Sequence, residues 1–97
     1  MTFEQFKSSV SASAPPAGLT PALLALWHDA RGDWNAAHRL AQDIKDRTGA
    51  WVHAYLHRKE GDLSNAGYWY RIADRTVAVG EHSEEWAEIA GTLLRDE

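Results

Sequence analysis

Ninety-seven residues make one small domain, and a formal charge of −4 with 25% charged residues is ordinary for a globular chain without the basic surface of a nucleic-acid binder. There is no cysteine, so disulfides and thiolate metal sites are excluded and a reducing, cytoplasmic setting is the expectation. Five tryptophans offset the small core expected at this length, because each can bury a large apolar area.

Phe3, Phe6 and Val10 fall at i, i+3 and i+7 and predict a short helix from Thr2 to about Val10. Ser11 to Gly18 reads SASAPPAG, a linker of small residues, prolines and a glycine. Residues 1–18 are therefore read as an N-terminal helix and linker ahead of a helical domain over 19–97. Ser8 to Trp27 carries no charge, but Pro15, Pro16, Gly18 and Pro21 break it, so no membrane span is expected. A secretory signal also fits poorly, since Glu4 lies at the start and no apolar run follows Lys7.

Thr20-Pro21 is a helix start, with threonine as cap and proline at the first helical position. The helix it opens is predicted to end at Gly32, and Asp33 to cap a second helix running to about Arg47. Thr48-Gly49 reads as the next boundary, followed by a third helix over about Ala50–Glu60. Gly61 ends that one, and Asp62 or Ser64 caps a fourth that fades after Val79-Gly80. Ser83 is read as the cap of a last helix with Glu84 and Glu85 in its first turn. Trp86, Ile89, Ala90, Leu93 and Leu94 give that helix a one-sided apolar stripe, expected to cover the aromatic fourth helix. No strand pattern occurs.

Ala25, His28, Gly32-Asp33 and Ala37 return as Ala54, His57, Gly61-Asp62 and Ala66, each pair 29 positions apart. A fixed period of this size marks a helical repeat. The spacing of small residue, Gly-Asp and alanine resembles the tetratricopeptide-type helical hairpin, over roughly Leu19 to Arg75. Two features depart from that family: its period is about 34 residues, and its closing proline is missing here. The resemblance implies an all-α fold of two antiparallel helix-pair repeats in an α-α superhelix, with short N- and C-terminal capping helices. Leu23, Leu24, Trp34, Ala37, Ala41, Leu56, Ala66, Tyr70 and Ala73 are the expected core.

Mapped onto that family, Trp51, Tyr55, Arg58 and Lys59 of the third helix match positions lining the concave groove, and Leu26 and Asp29 match them in the first. The implied function is an interaction module that binds a protein or peptide with apolar and acidic residues through that groove, with Trp51 and Tyr55 facing outward. Nucleic acid and membrane are not expected partners.

His53 and His57 lie four apart on one helical face, with His28 as the repeat equivalent of His57. That trio is the basis of an alternative reading, a histidine-lined metal or small-molecule site with or without catalysis. The expectation placed first is that these histidines are structural, with no metal and no cofactor. No zinc-protease, nucleophile-elbow, phosphate-loop or dinucleotide motif is present, so an enzyme is the less favoured class. A third reading is a structural homodimer joined through its aromatic surface.

Overall fold

The computed structural model describes residues 1–96, so the last residue of the expected 19–97 domain lies outside it. Six helices follow in order: α1 Phe3–Ser9, α2 Pro21–Ala30, α3 Trp34–Gln42, α4 Arg47–Glu60, α5 Leu63–Ala73 and α6 His82–Arg95. No strand occurs among the described residues. The protein is all-α, as its sequence pattern requires.

The repeated Gly-Asp pair does the same work twice. Gly32 and Gly61 sit at φ 84° and 92°, left-handed backbone that ends α2 and α4. The next residue then caps the following helix: Asp33 accepts from the Ala36 N–H at 3.0 Å and Asp62 from the Asn65 N–H at 3.2 Å. Two tight hairpins result, α2–α3 and α4–α5, and they lie side by side through α2–α4 and α3–α4 contacts. Ala37 and Ala66 are buried where the paired helices meet, with Ala25 and Ala54 opposite in the same core. Of the expected core, Leu24 and Trp34 are only half-buried; the other members are buried.

Four boundaries differ from the sequence reading, the first at α3, which ends at Gln42 rather than near Arg47. α4 starts at Arg47, because Asp46 accepts from the Gly49 N–H at 3.0 Å and acts as its cap. Gly49 therefore lies inside the first turn of α4 rather than between helices. α5 stops at Ala73, where Asp74 takes a left-handed φ of 59°. α6 starts at His82 after Glu81, whose N–H is held by the Glu84 carboxylate at 3.0 Å.

Gly49 is there for space. A Cβ on it would stand 2.5 Å from Ile44 Cβ and 2.7 Å from Ile44 Cγ2, and would also press on the Ile44 carbonyl. In an open helix glycine-to-alanine gains up to about 1 kcal/mol. Here Gly49→Ala is expected to lose about 1–3 kcal/mol instead, because the α3–α4 connection must shift. Urea unfolding checks the sign, and a stabilised variant would show that Ile44 can move aside freely.

The terminal helices close the domain. α6 packs on α4, α2 and α1. The expected partner of its stripe, α5, is touched through a single hydrogen bond, from Tyr70 Oη to Glu85. The reason is that Trp86, Ile89 and Ala90 fill the space between α2 and α4, where the core was still open. α1 docks in turn on α6, with Phe6 stacked on Trp86 at 5.6 Å between ring centres. The Trp27 indole donates to the Ser9 carbonyl at 3.2 Å and so ties the N-terminal segment to α2.

Candidate functional site

α4 carries two candidate faces. Tyr55, Arg58 and Lys59 point toward α2 and α6, and His53 and His57 point toward α3 and α5.

The first face corrects the sequence expectation. Leu26, Asp29, Trp51, Tyr55 and Arg58 are buried, so they do not form an exposed peptide-binding surface. Only Lys59 of the six is exposed. The physical reason is α6, which lies along the groove of α2 and α4. Its Trp86 indole donates to the Leu26 carbonyl at 2.9 Å. Its Glu85 carboxylate accepts from Arg58 at 3.1 Å and from Tyr70. Asp29 is satisfied from the other side, by Tyr55 Oη at 2.6 Å and Lys59 Nζ at 3.0 Å. Burial first, then the hydrogen bond to Asp29, pushes the Tyr55 phenol up, so it stays a neutral donor. Trp51 is covered by Arg75, whose guanidinium stacks 3.5 Å above its ring. Arg75 itself stays exposed on its other side.

What remains open on this side is a cleft of about 520 Å³ where α1, α2, α4 and α6 meet. Val10, Ala30 and Trp86 give it apolar walls, Asp29, Tyr55 and Lys59 line one side, and Lys7, Glu81 and His82 also border it. Of the six residues expected at the groove, three therefore border this cleft, Asp29, Tyr55 and Lys59, and Leu26, Trp51 and Arg58 do not.

The second face brings together histidines that the sequence reading had only partly grouped. His38 of α3 meets His53 and His57 of α4, and one ring nitrogen from each lies within 4.8 Å of the other two. His28, the expected third member, is absent from this cluster. It sits on α2 with its ring edge-on to Trp27. Repeat equivalence gives His28 the place in its own hairpin that His57 has in the next one. It does not put the two side by side.

His38 Nε2 and His53 Nε2 are 2.9 Å apart. His57 Nδ1 meets the Glu60 carboxylate at 2.6 Å, and His57 Nε2 meets the Asn65 amide nitrogen at 3.3 Å. The Nδ1–H is thus held toward Glu60, which leaves Nε2 to accept from Asn65. Burial, then the neighbouring His38 and His57, holds the His53 imidazole down to about 4. Burial and His57 lower His38 as well, partly countered by Glu60. His53 is neutral at pH 7 as a result.

Tryptophans wall the cluster. Trp69 stacks on His53 with ring centres 4.0 Å apart, and Trp34 stacks on His38 at 4.9 Å. Trp34 is itself anchored by its indole bond to the Leu56 carbonyl at 2.8 Å. Trp69 thus covers α4, and its neighbour Tyr68 is exposed. The signal for His38 lay in spacing: Trp34 and His38 are four apart on α3, as His53 and His57 are on α4, so each helix presents one ring-bearing stripe.

No helix among the described residues is long and apolar enough to cross a membrane. The chain matches no protein-family model, no curated protein and no solved structure.

Proposed function

We propose that this chain is a small helical-hairpin interaction module that binds a segment of a partner protein at the cleft between α1, α2, α4 and α6. The tetratricopeptide-type kinship of its hairpins and its cytoplasmic setting belong to the same proposal. The observation that supports it is the cleft itself, whose volume of about 520 Å³ falls in the range of ligand sites, roughly 300–1,000 Å³. Its chemistry suits an apolar side chain against Val10, Ala30 and Trp86, beside a carboxylate facing Lys7 and His82.

A displayed library of short peptides, selected on the whole chain, tests this reading. Enriched sequences should pair Asp or Glu with a large apolar residue. Ser11→Trp should fill the cleft from an exposed position, leave thermal unfolding unchanged and weaken the enriched peptides at least about tenfold. No enrichment, or equal binding to the filled variant, would remove the cleft from consideration.

A further inference from the structure

We propose that His38, His53 and His57 form a binding site for one divalent transition-metal ion of the zinc class, with solvent completing its coordination. The site lies on the face of α4 that points away from the cleft, so it stands or falls independently of the interaction reading.

Three observations carry the inference. The first is convergence. Two rigid helices supply the ligands, with His53 and His57 one turn apart on α4 and His38 opposite on α3, their nitrogens within 4.8 Å of one another. Zinc–nitrogen bonds of about 2.0–2.1 Å in tetrahedral array place ligand nitrogens about 3.3 Å apart. The 2.9 Å pair of His38 and His53 must open by a few tenths of an ångström, and the third ring must close in.

The second is protonation. A metal ligand needs a lone pair on its nitrogen. Two Nε2 atoms at 2.9 Å cannot both carry hydrogen, so at least one already presents its lone pair. His57 holds its hydrogen on Nδ1 against Glu60 at 2.6 Å and has Nε2 free of it. A carboxylate behind a ligating imidazole is the arrangement that fixes tautomer and ring orientation at metal sites. Asn65, at 3.3 Å from Nε2, is a long and easily displaced partner.

The third is preorganisation. Trp69 against His53 and Trp34 against His38 fix the ring planes before any ion arrives. Simple core filling would need neither three imidazoles nor a carboxylate behind one of them.

Neutral imidazoles select zinc, cobalt(II), nickel(II) or copper(II) over magnesium and calcium, which want oxygen ligands. A competing donor set, His57 with Glu60 and Asp62, shares one histidine. It is weaker, because Glu60 and Asp62 are exposed and Asp62 is already engaged as the cap of α5. The proposal reverses the expectation that the histidines are only structural. The reason is His38, which the sequence did not place beside the other two.

Untagged, chelator-stripped protein titrated with Zn²⁺ and Co²⁺ tests the site. One ion per chain should bind by calorimetry and elemental analysis, and Co²⁺ should give the visible absorption of a low-coordinate nitrogen site. Mg²⁺ and Ca²⁺ should not compete. His38→Ala should lower affinity at least about 100-fold while leaving the His57, Glu60, Asp62 set intact, and Glu60→Gln should lower it about 10- to 100-fold. Imidazole ring resonances of the unmodified chain give a readout that no variant can spoil, since all three histidines should shift together on adding Zn²⁺. Absence of stoichiometric binding, unshifted His38 and His53 rings, or undiminished binding by His38→Ala would overturn the proposal.

Discussion

Glu85→Ala is expected to cost about 3–5 kcal/mol, the usual penalty for leaving one member of a buried ion pair alone. Arg58 and Glu85 are side chains only 9% and 3% exposed, joined at 3.1 Å. Glu85 also receives the Tyr70 hydroxyl, and Arg58 also donates to the Gly80 carbonyl. Removing the carboxylate strands a guanidinium and a phenol in the core together. In a domain of this size each kcal/mol moves the midpoint by roughly 4–8 °C, so the loss should reach on the order of 20 °C. The double change Arg58→Leu with Glu85→Leu should recover the part due to the stranded guanidinium, because well-packed apolar residues replace such pairs at little net cost, while the Tyr70 hydroxyl still lacks the Glu85 acceptor. Guanidinium unfolding of the three proteins decides. A loss below about 1 kcal/mol for Glu85→Ala would mean that water reaches Arg58.

Trp51→Ala should be comparably damaging, at about 3–5 kcal/mol. The ring is only 5% exposed and lies under the Arg75 guanidinium. An exposed groove residue would instead leave helical content and unfolding midpoint unchanged, so circular dichroism during a thermal ramp separates the two roles. Arg75→Ala, which removes only the stacking cation, should cost about 0.5–2 kcal/mol. Equal stability of Trp51→Ala and the unmodified chain would return Trp51 to the surface.

Local chemistry made the hairpins legible. Thr20-Pro21, Gly32-Asp33 and Gly61-Asp62 are start and stop signals whose effect needs no tertiary contact, and each stands where the pattern puts it. Gly49 misled for the opposite reason. Glycine reads as a break in isolation, and only the position of Ile44 reveals that it serves close packing inside α4. Trp51 and Tyr55 misled because a helical period shows which residues share a face, not what covers that face. Nothing local in α4 indicates that α6 returns to lie across it. The histidine cluster was half legible: the pair on α4 follows from its spacing, whereas His38 depends on how α3 turns against α4.

The bond from the Trp86 indole to the Leu26 carbonyl joins positions 60 residues apart, whereas each hairpin closes through a Gly-Asp turn. Loop closure makes such distant contacts slow to form and neighbouring ones fast. The two hairpins are thus the early units of folding, and the docking of α6 is the late step. During synthesis α2 to α5 emerge before Glu85, Trp86 and Ile89 exist to cover them. For that interval Leu26, Tyr55 and an unneutralised Arg58 face the solvent, and this transient surface is the one that ribosome-associated chaperones would meet.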